Sequence, residues 1–151
     1  MANQSKKIAT VPLIKDLSPV LQDAVVQILD SISEELMLNK GETLYHECEE
    51  GDNTGVLLIS GSVNISHGNT DPKIVKAPEL FGEMRQMNHK GQRIATICAN
   101  EGSTILRFSW HNFIGVLMKI SSITKEQRVE LRRALNQIGN TRLQELFDSK
   151  S

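Results

Sequence analysis

Apolar residues fall into three regions of different period. From residue 12 to 38 they recur at helical spacing, with Val20, Leu21, Ala24, Val25, Ile28 and Leu29 forming one stripe. Ser18-Pro19 supplies a helix start, with Ser as the cap and Pro in the first turn. From 40 to 109 the pattern shortens to β-rich runs: Val56-Leu57-Leu58-Ile59, Val63-Asn64-Ile65, Ile94-Ala95-Thr96-Ile97 and Ile105-Leu106-Arg107-Phe108. Turn signals separate them: Lys40-Gly41, Glu50-Gly51-Asp52-Asn53, Ser60-Gly61, His67-Gly68-Asn69 and Asn100-Glu101-Gly102. Short strands at this spacing predict a compact barrel or sandwich rather than a parallel α/β sheet. From 110 to 149 the helical period returns, first over Trp110 to Ile120. A second helix starts after Thr124, with Gln127 completing a capping box. It carries Val129, Leu131, Leu135, Ile138, Leu143, Leu146 and Phe147, and Gly139-Asn140 is its weak point. The expectation is one domain over 1–151, ordered helix (12–38), β-barrel (40–109) and C-terminal helices (110–149), with no internal repeat.

Composition narrows the picture. The chain has 151 residues, enough to bury a core, and at 39% hydrophobic it reads as globular. Aromatics are only 4%, so aliphatic side chains must fill the interior. The 17 basic residues balance 18 acidic ones, which removes the strong positive field that non-specific nucleic-acid binding needs. No apolar run approaches the roughly 20 residues of a membrane span. Met1 to Thr10 lacks the hydrophobic middle of a secretion signal, so a cytoplasmic location is expected. In that setting Cys48 and Cys98 are not expected to pair, and Cys98 reads as a small core residue.

One stretch carries chemistry: Leu80-Phe81-Gly82-Glu83-Met84, then Gln92-Arg93-Ile94-Ala95-Thr96. Gly82 lets backbone approach a ligand closely. Arg93 offers charge and a two-pronged donor suited to phosphate oxygens. Neighbouring backbone amides can form a nest for an anion. Glu83 would repel phosphate but accept well from a sugar hydroxyl. Phosphate and sugar hydroxyl together indicate a nucleotide. The plainer reading of the same residues is a turn-capping Glu83 with Arg93 as its ion-pair partner and no ligand.

This stretch resembles the phosphate-binding cassette of cyclic-nucleotide-binding domains, found in bacterial catabolite activator proteins, the regulatory subunit of cyclic-AMP-dependent kinase and cyclic-nucleotide-gated channels. The spacing from Glu83 to Arg93 is similar to the bacterial type. Lys40-Gly41-Glu42, Gly51-Asp52 and Ile59-Ser60-Gly61-Ser62-Val63 resemble the family's barrel turns, and Phe113 falls where its helices begin to close the barrel. The resemblance runs from about Val11 to Phe147. It implies an α+β fold, an antiparallel β-barrel of jelly-roll type (a double-stranded β-helix) flanked by an N-terminal helix and C-terminal helices. It also implies a signalling domain that is not an enzyme.

Carried over by position, the resemblance implies that Glu83 accepts from the ribose 2′-hydroxyl and that Arg93 pairs with the cyclic phosphate. The backbone of Gly82, Ile94 and Ala95 would line the phosphate and sugar, Ile65 and Val75 would form the apolar wall for the base, and Phe81 and Met84 belong to the same ligand-binding set. The last helix would act as a lid through Asn136, Asn140 or Arg142, the last able to stack on a purine. In the bacterial branch it also serves as a homodimer seam, here residues 125–147, where Leu131, Leu135 and Ile138 follow one another at four and three. The sequence departs from the family at Arg85, where Ala or Gly is usual, and at Pro78-Glu79, where Gly often stands. Ile94 occupies a position where cyclic-GMP-selective members often have Thr. Ile has no donor for guanine, so cyclic AMP is the expected ligand, with cyclic GMP or a cyclic dinucleotide as alternatives.

Competing chemistries are poorly supplied. His46, His67, His89 and His111 are scattered, without the His-x-His and Glu of a metal-binding cupin, so no metal is expected. No nucleophile elbow is present. Arg128, Arg132 and Arg133 alternate with Glu126 and Glu130, which reads as a solvated face rather than a nucleic-acid patch. After Phe147 the sequence given shows only Asp148-Ser149-Lys150-Ser151, so the effector is expected outside it. The expectation is a stand-alone sensor or, preferably, a regulatory domain of a longer signalling protein, bacterial in type, whose effector joins through the last helix. The competing class is a ligand-free module of the same fold used for dimerisation or docking.

Overall fold

Helix α3 (Pro19–Ile32) starts at the Ser18-Pro19 signal. Proline suits the first helical position because its φ is already helical and it has no N–H to satisfy. Leu21, Val25, Val26, Ile28 and Leu29 are buried along it, as their spacing predicts. Two one-turn helices precede it, α1 (Ser5–Ile8) and α2 (Pro12–Lys15), which bury Ile8, Leu13 and Ile14 against the same core. The structure, a computed structural model, describes residues 4–48, 54–68, 71–81 and 95–135.

The helical reading of 12–38 overshoots. Helix α3 stops at Ile32, Ser33 turns extended, and Glu34–Leu38 is strand β1. Tertiary pairing decides this: β1 lies along the free edge of β8 (Ser103–Ser109), with Glu34 opposite Arg107 and Leu38 opposite Ser103. The remaining strands are β2 (Thr43–Tyr45), β3 (Thr54–Ser60), β4 (Ser62–Ser66), β5 (Lys73–Lys76), β6 (Glu79–Phe81) and β7 (Thr96–Ala99).

They form two four-stranded antiparallel sheets, β1-β8-β3-β6 and β2-β7-β4-β5. The pairing is nested: β4 with β5, β3 with β6, β2 with β7, β1 with β8. That is one long hairpin, rolled until β8 also meets β3 and β7 meets β4. The result is the expected jelly roll with flanking helices.

Side-chain alternation assigns the layers. Along β3, Leu57 and Ile59 pack with the helices, while Val56 and Leu58 face the second sheet. The first sheet is covered on both faces, which explains the unbroken apolar run that marked β3 in the sequence. The second sheet covers one face only. On β7, Ile97 and Ala99 point inward and Thr96 and Cys98 outward. Cys98 is therefore not the core residue expected: the period of two turns it away from the interior. Both cysteines are unpaired thiols.

The chain passes from one sheet to the other at Gly61, which has φ +93°. An added Cβ there would meet the Gly102 carbonyl oxygen and Ser103 Cα, each at 2.8 Å. The corner is fastened by buried Ser62 and Ser103. Ser62 Oγ donates to Glu101 (2.6 Å), and Asn100 N donates to the Ser62 carbonyl (2.9 Å).

After β8, helix α4 (Trp110–Lys119) is capped by Ser109, whose hydroxyl accepts from Asn112 N at 3.2 Å. Phe108, Trp110 and Phe113 meet edge to face or tilted within the helical core, with centroids 4.9 to 6.1 Å apart. A further helix, α5, is described over 125–135. Its capping box forms as predicted: Thr124 N donates to Gln127 Oε1 (2.8 Å) and Gln127 N to Thr124 Oγ1 (3.1 Å). No helix among the described residues is long and apolar enough to cross a membrane.

Candidate nucleotide site

The two strands that bracket the cassette motif belong to different sheets. Strand β6 ends at Phe81, and the chain re-enters the described structure at Ala95, just before β7. Phe81 and Ala95 are nevertheless neighbours in one buried cluster between the sheets, with Tyr45, Val56, Leu58, Val63, Ile65, Ile97 and Ile105. Val75 packs against its edge. Four of the expected ligand-contacting residues, Ile65, Val75, Phe81 and Ala95, thus converge on one interior although 30 positions separate the first from the last.

Each gets there by strand geometry. Ile65 and Val63 alternate with outward Asn64 on β4. Val63 lies opposite Val75 on β5 and Ile65 opposite Ile97 on β7. Phe81 faces the interior from β6, while its neighbour Leu80 packs into the helical core. Gly82, Glu83, Met84, Arg85, Arg93 and Ile94 lie outside the described residues. So do the lid candidates Asn136, Asn140 and Arg142, and Ile138 of the expected seam.

A polar clasp that the sequence did not announce sits at the Ala95 end of the second sheet. Glu47 N donates to Thr96 Oγ1 (2.9 Å), Gly68 N donates to Glu47 Oε1 (2.8 Å), and His67 Nδ1 lies 2.9 Å from Glu47 Oε2. It joins the end of β2, the β4–β5 turn and the start of β7. The signal was diffuse because its residues sit in three separate turns.

Over its described residues, helix α5 is fixed against the molecule's own core. Leu131 is 3% exposed and packs with α2 and α3, and Leu135 is partly buried beside it. Of the described residues of the expected seam, Leu131 is thus used by the helical core, while Val129 stays exposed. Glu130 also departs from the solvated face expected of it, since it accepts two hydrogen bonds from Ser18. Among the described residues no group of three or more His, Cys, Asp or Glu side chains is arranged to hold a metal ion.

Comparison with known proteins fits this architecture. The family of cyclic nucleotide-binding domains matches residues 35–119, from β1 to the end of α4 and across the cassette. That span is more than half of the chain, and the chain belongs to this family. Among solved structures, PKAR CBD2 with bound Sp-2Cl-cAMPS is similar at 26% identity and a TM-score of 0.62, over 89% of this chain and 88% of that one. The sensor domain of the transcriptional regulator DNR from Pseudomonas aeruginosa is similar at 24% identity and a TM-score of 0.65, over 96% and 91%. Thermus thermophilus catabolite activator protein is similar at 19% identity and a TM-score of 0.62, over 89% of this chain and 59% of that chain. The latter two likenesses concern the fold. No match was found among curated proteins.

Proposed function

We propose that this chain is a regulatory sensor domain, catalysing nothing, that binds cyclic AMP on the Glu83/Arg93 cassette. The observation that carries the reading is the meeting of Phe81 and Ala95, the two ends of the cassette, in one interior cluster with Ile65 and Val75. A segment anchored at both ends beside an apolar wall suits a ligand with an anionic head and a flat base. The likeness to PKAR CBD2 with its bound cyclic-AMP analogue supports the ligand class. A structure from a study of cyclic-GMP-dependent signalling, at 16% identity, shares the fold alone. Cyclic AMP is preferred because Ile94 has no hydrogen-bond donor for guanine.

In this reading residues 1–151 act as one domain and the output runs through the C-terminal helices. A ligand shifts a conformational equilibrium only by its difference in affinity for the two states. Closure of the cassette on phosphate would be sensed by α5 and by the lid candidates Asn136, Asn140 and Arg142. An effector, fused or separate, would meet this end of the molecule. Ile114 and Met118 on α4 and Val129 on α5 are exposed apolar residues around one groove there. The homodimer alternative over 125–147 would use Val129, since Leu131 packs inward.

Titration of wild type and Arg93→Ala with cyclic AMP tests the site. A hydrogen bond to a charged group contributes about 1.5–3 kcal/mol, so the variant should bind roughly 10- to 150-fold more weakly. Equal affinity in the two proteins would remove Arg93 from the site.

A further inference from the structure

Strand β2 is only three residues long, and its register slips within it. Thr43 lies opposite Cys98, but Tyr45 lies opposite Ile97, so the partner strand advances one residue while β2 advances two. Had the register continued evenly, Tyr45 would face Thr96, an outward position of β7. The irregularity instead sets Tyr45 against inward-facing Ile97, and Tyr45 is 5% exposed within the interior cluster. Such bulges re-aim single side chains and are over-represented beside functional sites.

The position reached in this way is adjacent to the cassette. A residue's diagonal cross-strand neighbour, two along from its direct partner, is within reach of an aromatic side chain. For Tyr45 that neighbour is Ala95, where the cassette ends and two residues after Arg93. Ile97 in turn pairs with Ile65, so Tyr45, Ile97 and Ile65 form one row across the sheet. Tyr45 brings a polar side-chain atom to this cluster, whose other described members are aliphatic or phenyl. A phenol keeps its proton at neutral pH and can donate it to a phosphate or sugar oxygen.

We propose that Tyr45 is a ligand-contacting residue, whose hydroxyl donates a hydrogen bond to the ribose-phosphate end of the bound cyclic nucleotide and sets its affinity. The proposal rests on the nucleotide-binding reading above. Because the contacted end is common to all cyclic mononucleotides, Tyr45 governs affinity and not the choice of base.

Calorimetric titration of wild type, Tyr45→Phe and Arg93→Ala with cyclic AMP and cyclic GMP separates the outcomes. Tyr45→Phe keeps the ring and removes only the hydroxyl, and its ligand-free unfolding temperature reports whether the fold is kept. The expected result is a loss of about tenfold in affinity, equal for both nucleotides. Wild-type affinity in Tyr45→Phe beside a weakened Arg93→Ala overturns the proposal and leaves the site standing. A loss confined to one nucleotide overturns it too, because the contact would then be to the base. If wild type binds neither nucleotide, the nucleotide reading fails and this one falls with it. A second readout uses wild type alone. Tyr45 is the single tyrosine of the chain, so a ¹³Cζ-tyrosine label gives one resonance. It should shift on saturation with cyclic AMP, and a resonance unmoved in a protein shown to be saturated overturns the contact.

Discussion

Glu130 grips the start of helix α3 with both of its carboxylate oxygens: Ser18 N donates to Oε2 and Ser18 Oγ to Oε1, each at 2.9 Å. The two residues are 112 positions apart. A helix N-terminus presents unsatisfied N–H groups and partial positive charge, so a carboxylate there is favourable. Here the carboxylate comes from α5 instead of the local cap, which ties α5 to the N-terminal helices.

Removing this tie should cost stability and little else in the barrel. Glu130→Ala is expected to lose about 1.5–3 kcal/mol, the range for hydrogen bonds to a charged group. Glu130→Gln, which keeps an acceptor, should lose less. Urea denaturation of the three proteins checks the order. Equal midpoints for all three would mean the contact contributes nothing in solution.

Gly61 is where the sheets join, and its conformation is one that side chains rarely adopt. Gly61→Ala combines that strain with a clash against the Gly102 carbonyl and Ser103. It should destabilise by more than about 1 kcal/mol. Gly102→Ala has open space around the added methyl group and should be far milder. Thermal unfolding of the pair distinguishes a local steric effect from a general intolerance of the turn.

Thr124→Ala removes one half of the capping box at the start of α5. The expected cost is about 1 kcal/mol, with faster amide hydrogen exchange over the first turn of that helix. Protection unchanged at 125–128 would show that tertiary packing, through Leu131, holds the helix end without the cap.

How far the sequence anticipates this molecule depends on whether a residue's role is local. Strand β3 was readable because both its faces are covered, which demands a continuous apolar run. Helix α3 and the cap of α5 were readable because their signals lie within a few residues. Strand β1 was not, since Glu34 and Glu35 are exposed on an edge strand and only Arg107 and its neighbours across the ladder make it one. Cys98 misled because its residue type, not its place in the alternation, suggested burial. The candidate site divides in the same way. Glu83 and Arg93 stand out as a motif because they lie in one short stretch, and both are outside the described residues. Tyr45 does not stand out, because its place beside the cassette depends on a register slip against a strand more than 50 residues away. Glu130 follows the same rule: the alternating charges of its own helix suggest solvent, while its partner Ser18 lies 112 positions away.

The central claim is tested most directly by calorimetric titration of the purified, refolded and nucleotide-free protein with cyclic AMP, with cyclic GMP and cyclic diguanylate run in parallel. The account predicts saturable binding of cyclic AMP, one per chain, tighter than binding of cyclic GMP and with none of the dinucleotide. No heat and no saturation with any of the three, on a protein whose unfolding transition shows it to be folded, would contradict it and leave a domain of this family that works by docking alone.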